Sequence, residues 1–263
     1  MASTGDILTE KVKDAGKAAT SAMAPIIERH PLQRLESPSR TVSAAIHILG
    51  IANFVGCFRH LVNFPTHIND STGWHFQYLT IIGLTLATIT FVLGLLSDIL
   101  LSPKLFAYKN LFSVCGAPME ILISLLYWGI SSIDRRLVVP PEIHTEFWTD
   151  LMFHLFPALL MFLDLVLLSP PWTIKALPAF GLSGTIAVGY WMWVNYCYSY
   201  NGFYPYPIFE LLDTPKRAML FGGSAVTMAV MTLVLKWAYG SLNGVDGLEV
   251  AGTPYMPKDK KKI

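Results

Sequence analysis

Long apolar blocks, not an alternation of apolar and polar positions, organise this chain. Six of them reach or approach the roughly 20 residues that a helix needs to cross a bilayer. They are Thr41 to Phe58, Gln77 to Ser97, Asn110 to Ile133, Leu151 to Leu168, Ala176 to about Tyr200 and Ala218 to Leu235. Short polar connectors separate them, with no internal repeat and no extended soluble domain. The pattern predicts an all-α, polytopic membrane helical bundle of about six transmembrane helices over residues 41–240. Ahead of it, Ile7, Leu8, Val12, Ala15, Ala19 and Met23 recur at three- and four-residue steps with charges between them. That spacing predicts an N-terminal amphipathic helix within residues 1–40, lying on the membrane or packing on the bundle. Pro25, Pro31 and Pro38 then interrupt the chain before the first crossing. Residues 241–263 read as a tail.

Composition agrees with the pattern. Hydrophobic residues make up 53% and charged residues 14% of the chain, against about 25% charged in ordinary soluble domains. A net charge of +1, with no basic stripe among aromatics, sets nucleic-acid binding aside. Cys57, Cys115 and Cys197 fall in or beside apolar runs without a pairing pattern, so they read as small core residues. The charged stretch Asp6 to Lys17 does not resemble a cleavable signal peptide.

Charge placement bears on topology. Six crossings put both termini on one side, and fourteen of the 19 Lys and Arg residues fall there. Basic residues favour the cytosolic face. The final Lys260-Lys261-Lys262-Ile263 resembles a dilysine retrieval signal, which works only in the cytosol. Both point to the endoplasmic reticulum membrane with cytosolic N- and C-termini.

The second and fourth blocks would then begin on the lumenal side. At 1.5 Å per residue, Thr80 lies roughly 5 Å in from Gln77 and His154 roughly 9 Å in from Trp148. An ionisable group inside a membrane segment is costly and is a functional candidate by default. A histidine and a hydroxyl at matched depth are the minimum parts of a base-activated nucleophile. A lone threonine, however, most often bonds its own backbone or a neighbouring helix. Asp150, four residues before His154, has the spacing to orient the imidazole. Glu120 and Asp164 compete as relays, ligand contacts or structural carboxyls. His47, Asn53 and Asn195 read as interhelical bonding groups. The aromatic cluster from Tyr190 to Tyr206 fits an interfacial belt, with an acyl-channel wall as the other reading. No Gly-x-Ser-x-Gly elbow, His-Glu-x-x-His site or phosphate-cradling loop is present, and the histidines show no metal-ligand spacing.

Several segments together resemble the androgen-induced and androgen-dependent TFPI-regulating membrane proteins, hydrolases of fatty acid esters of hydroxy fatty acids. They are Trp74-His75-Phe76-Gln77-Tyr78-Leu79-Thr80, Tyr127-Trp128-Gly129-Ile130 with Ile133-Asp134-Arg135, and Trp148 with His154. Tyr204-Pro205-Tyr206-Pro207-Ile208-Phe209-Glu210 and Ala218-Met219-Leu220-Phe221-Gly222 complete the set, so the likeness runs over about residues 40 to 240. In that family a threonine and a histidine form the catalytic pair, and they fall on Thr80 and His154. The resemblance therefore implies a threonine nucleophile and histidine base that cleave lipid esters taken from the bilayer, with no cofactor and no metal. Asp150, Asn195 and Glu120 stand as orienting or pocket residues. This chain shows Asn195-Tyr196 where the family often has adjacent histidines, and its first 40 residues extend beyond the family pattern. Two other readings stay open. One is a non-catalytic lipid-binding or transport protein relying on Glu120 or Asp164, and the other a metal-dependent intramembrane lipid hydrolase.

Overall fold

A computed structural model describes residues 40–140, 143, 146–169, 172 and 174–243. The amphipathic stretch expected before residue 40 and the terminal lysines lie outside the described residues. Among the described residues there are seven main helices and no strand. They are α1 (Arg40–Asn63), α2 (Leu79–Leu100), α3 (Pro103–Asp134), α4 (Phe147–His154), α5 (Phe156–Leu168), α6 (Ala176–Asn201) and α7 (Thr214–Asn243). The protein is an all-α, polytopic membrane bundle, as the apolar blocks predict.

Among the described residues, five segments are long and apolar enough to cross a membrane: 41–63, 79–100, 104–137, 147–168 and 214–242. The sixth expected helix, α6, has 26 residues and no charge, so it is long enough to cross. Its C-terminal half carries most of its Tyr, Trp and Asn residues. The outward faces carry large apolar side chains: Leu49, Leu111, Leu177 and Trp237 are each more than 60% exposed. A surface of that kind is solvated by lipid, not water.

Two boundaries depart from the apolar blocks for local reasons. Helix α3 starts at Pro103, seven residues before the expected Asn110, because Ser102 caps Leu105 N–H and proline suits the first turn. Leu101 makes the preceding bend in the left-handed region (φ 54°), which folds α2 and α3 into a tight hairpin. The fourth crossing is broken at Leu155, between α4 and α5. Pro157 has no N–H to return to the Phe153 carbonyl, so the turn holding His154 ends there.

α2 packs along both α1 and α3, α6 lies along α7, and α3 also meets α5 and α7. Phe54, Leu84, Ala87, Phe91, Met161 and Leu165 fill the centre. Two glycines admit bulky neighbours: a Cβ at Gly50 would stand 2.2 Å from Phe91 Cδ1, and one at Gly94 2.3 Å from His47 Nε2.

The terminal end of the bundle is tied by a buried polar network. His47 of α1 places Nδ1 2.7 Å from Asp98 Oδ2 of α2, and Nε2 3.1 Å from Asp164 Oδ1 of α5. Lys109 of α3 stands 2.7 Å from the same Asp164 oxygen and donates to the Leu168 carbonyl and to Ser169 Oγ. Ser43 donates to Asp98, and Tyr239 of α7 donates to the Ser169 carbonyl. Five helices meet in one hydrogen-bonded cluster. Lys109 and Asp164 are 0% exposed. Asp164 is occupied by His47 and Lys109.

Removing one partner of such a pair leaves an uncompensated charge, at a typical cost of about 3–5 kcal/mol. Lys109→Met should therefore destabilise the purified protein strongly. Lys109→Met combined with Asp164→Asn should recover part of the loss, because the orphan charge is gone. Thermal melts of the three proteins in one detergent test this; a double variant weaker by the full sum of the singles would contradict it.

Candidate functional site

At the opposite end of the bundle, the connector from Phe64 to Tyr78 fixes where α2 begins. It folds into two short 3₁₀ turns, His67–Asp70 and Trp74–Gln77. Thr66 and Asn69 cap the first turn reciprocally. Gly73 sits at φ 87° against α6, where a Cβ would meet Cys197 Sγ at 2.6 Å. Four further bonds clamp the connector to α6. Thr72 N–H donates to Asn201 Oδ1 (2.8 Å), and Asn201 Nδ2 donates back to the Thr72 carbonyl (3.0 Å). Trp193 Nε1 donates to the Phe76 carbonyl, and Tyr190 Oη to that of Gln77. His75 is buried with Nε2 3.2 Å from Asn69 Oδ1.

The clamp holds Thr80 in the first turn of α2, where helix amides have no acceptor within the helix. The N-cap residue, Tyr78, makes no side-chain cap bond. The Thr80 hydroxyl stands 3.4 Å from Tyr206 Oη, and the Tyr206 phenol also faces the backbone N–H groups of Leu79 and Thr80. Burial pushes the Tyr206 phenol up from its ordinary value, so it stays a hydrogen-bond donor.

Thr80 and Tyr206 line a cavity of about 100 Å³ between α2, α3, α6 and α7. Leu122, Ile123, Ile186, Phe221 and Met228 form much of its wall, and Thr80, Tyr127, Ser183, Tyr190, Tyr206 and Ser224 also line it. A mainly apolar cavity with few polar groups is the usual form of a small-ligand site.

His154 does not line this cavity, and it makes no hydrogen bond to Thr80. It lies directly behind the wall, stacked on Tyr127 with ring centroids 3.5 Å apart and planes 3° apart. Tyr127 is the side chain between the imidazole and the cavity. His154 Nδ1 meets the Asp150 carbonyl at 3.2 Å. With Nδ1 as the donor in that bond, Nε2 keeps a free lone pair, the tautomer that a general base needs.

The other expected site residues divide. Asp150 does hold His154, but through its backbone carbonyl. Its carboxylate takes Arg135 at 2.7 Å and the Tyr127 hydroxyl. Asn195 accepts from Tyr204 Oη at 3.0 Å, away from Thr80. Glu120 is buried between α3 and α2, outside the cavity wall, and its Oε1 has no hydrogen-bond partner. A Cβ at Gly83 would come within 2.9 Å of that oxygen. Among the described residues, no three His, Cys, Asp or Glu side chains converge as a metal site would require. The aromatic cluster splits between both of its readings. Tyr190 and Tyr206 line the cavity, while Tyr196, Tyr198 and Tyr200 are exposed. Tyr127 and Tyr206 were missed individually. Both lie in the segments that carry the family resemblance, Tyr127-Trp128-Gly129 and Tyr204-Pro205-Tyr206-Pro207, but which residues within a segment face the cavity is a tertiary fact.

Residues 42–240 match the family described as FAR-17a/AIG1-like protein. A UPF0641 membrane protein of Schizosaccharomyces pombe is 34% identical over 206 residues, covering 77% of this chain and 92% of that protein. The human androgen-induced gene 1 protein is 23% identical over 197 residues, covering 68% of this chain and 81% of its own. The androgen-dependent TFPI-regulating protein of Mesocricetus auratus is 27% identical over 153 residues, covering 54% and 65% respectively. No solved structure matches.

The connector that sets Thr80 carries a pH signature. Burial lowers His75 from 6.5 to about 4 in the folded chain. Between those values the unfolded chain holds a proton that the folded chain does not. Stability is therefore fully present above about pH 6.5 and falls as pH drops toward 4. His75→Gln should flatten that slope, measured by tryptophan-fluorescence melts across the window. An unchanged slope would show that other groups set it.

Proposed function

The chain belongs to the FAR-17a/AIG1-like family, and from that premise we propose that it is a hydrolase working inside the membrane. It cleaves esters of branched lipids such as fatty acid esters of hydroxy fatty acids. Thr80 is the nucleophile and His154 the general base. The observation that carries this reading is the placement of the Thr80 hydroxyl on an apolar cavity within the helical bundle, one aromatic ring away from His154.

The ester enters from the bilayer with its acyl chain against Leu122, Ile123, Phe221 and Met228. Thr80 Oγ1 attacks the ester carbonyl carbon while its proton passes to His154 Nε2. The carbonyl oxygen takes up the negative charge, and the donors nearest to Thr80 are the Tyr206 hydroxyl and the first-turn amides of α2. Collapse breaks the bond to the alcohol, which leaves with the proton returned by His154. Water then attacks the acyl-threonine, giving up its proton through the same imidazole, and releases the carboxylic acid. No cofactor takes part. For His154 to reach Thr80, the Tyr127 ring must move aside when substrate binds; catalytic hydrogen bonds are often made only in the complex.

The lipid-binding alternative loses ground on specific geometry. Asp164 is held in the network at the other end of the bundle, and Glu120 does not face the cavity. The basic-residue count supports an orientation with cytosolic termini. Protease treatment of intact microsomes should therefore digest a C-terminal tag, and a protected tag would reverse the assignment.

Purified protein with a panel of lipid esters, read by mass spectrometry, tests the chemistry. Thr80→Ala and His154→Ala should each lower kcat by about 10³-fold or more, and the double variant should be little worse than either. Thr80→Ser should keep partial activity, and Tyr206→Phe should lower kcat by about 10–100-fold with KM little changed. Well-folded Thr80→Ala that hydrolyses lipid esters at the parent rate would end this mechanism.

A further inference from the structure

Helix α7 supplies one wall of the cavity through Leu220, Phe221, Ser224 and Met228. Arg217 precedes Leu220 by three residues and Phe221 by four, so it stands on the same helical face, one turn beyond the cavity wall. Its guanidinium lies over the Tyr204 ring, 4.9 Å from the centroid, and Nη1 donates to Tyr204 Oη. Tyr204 donates onward to Asn195 Oδ1, so the phenol and the amide fix the guanidinium without neutralising it.

No carboxylate among the described residues pairs with Arg217. Asp213 pairs with Lys216 at 3.3 Å, and Glu210 accepts from the Tyr204 amide. Arg217 Nε is buried and has no hydrogen-bond partner. With Nη1 committed to Tyr204, the Nε–Nη2 edge is the one left free. That edge matches a carboxylate bidentately. A buried cationic donor without an acceptor is an expensive state.

We propose that Arg217 is a carboxylate subsite, which makes the cavity selective for lipids bearing a free acid at one end and an apolar chain in the groove. The free acid of the proposed ester substrate would occupy this edge, and the fatty acid product the same place. The subsite rests on the proposed function only in taking this cavity as the lipid site. Thr80 sits in the wall and Arg217 one turn past it, so the acid head and the scissile ester bind at different points of one molecule. Tyr204 and Asn195 are positioning residues for the guanidinium.

Binding tests this without turnover. Full-length protein in phosphatidylcholine nanodiscs is titrated with a long-chain fatty acid and, separately, with the primary alcohol of equal length, at a pH that ionises the acid. Thermal stabilisation reads the affinity. The acid should bind roughly tenfold more tightly than the alcohol. Arg217→Gln should abolish that difference while leaving alcohol binding unchanged, and Tyr204→Phe should reduce it. Equal binding of acid and alcohol by the parent protein would overturn the proposal, even if Arg217→Gln fails to fold. So would an equal loss for both ligands in the variant. Discs containing phosphatidylserine form a further arm. If that lipid alone gives an Arg217-dependent stabilisation and removes the acid preference, the anion is a phospholipid head group and the assignment falls. A parent that prefers the acid but hydrolyses no lipid ester would leave the subsite standing and remove the hydrolase reading.

Discussion

Charge burial without water governs this molecule. A bilayer interior offers no solvent to an ionised side chain, so each such group must find its partner within the protein. His47, Asp98, Lys109 and Asp164 satisfy that demand together, and they come from four different helices. No pair of them would suffice, because Asp164 faces both a histidine and a lysine. Satisfying one cluster therefore fixes α1, α2, α3 and α5 against each other at the terminal end. Gly94, placed where any side chain would strike His47, shows how closely the helices approach around it.

That fixed end permits an irregular one. At the opposite end the chain has a connector of 3₁₀ turns, a crossing broken at Leu155, and an apolar cavity where a packed core would otherwise continue. The break matters chemically. By ending α4 at His154, it sets the imidazole at a helix end, with Nδ1 on the Asp150 carbonyl and Nε2 free. Thr80 likewise occupies the first turn of its helix. Both members of the proposed pair thus lie at helix termini, where unpaired backbone groups and side chains share the same space.

The sequence made the spans readable and the partners much less so. Long apolar blocks located the six helices to within several residues, because crossing length is a property of a single segment. Helix starts slipped where capping outweighed hydropathy, as at Ser102-Pro103. Asp164 was recognisable as unusual and His47 read as an interhelical bonding group, but Lys109 fell just outside the apolar block that begins at Asn110. Their meeting depends on which helix faces are adjacent, which no single segment encodes. The same limit applied at the site. Thr80 and His154 were named through family resemblance and matched depth, whereas Tyr127, Tyr206 and Arg217 became visible only once α3, α7 and the Tyr204–Tyr206 turn converged.

Glu120 connects these two ends. It is buried in α3 beside Gly83, and Gly83 is three residues after Thr80 on α2. Its neighbour on α3, Met119, lines the cavity, while Glu120 faces away from it. The carboxyl thus sits behind the wall that carries Thr80, in a space that exists because Gly83 lacks a side chain. An unpaired Oε1 gives α2 and α3 no hydrogen bond to hold them there, in contrast to the four-helix tie around His47 and Asp164. The helix start that presents Thr80 is secured by the connector clamped on α6, through Thr72, Phe76 and Gln77, and not by polar contacts from α3. Binding that moves Tyr127 on α3 can therefore rearrange one wall of the cavity while Thr80 stays fixed on the other.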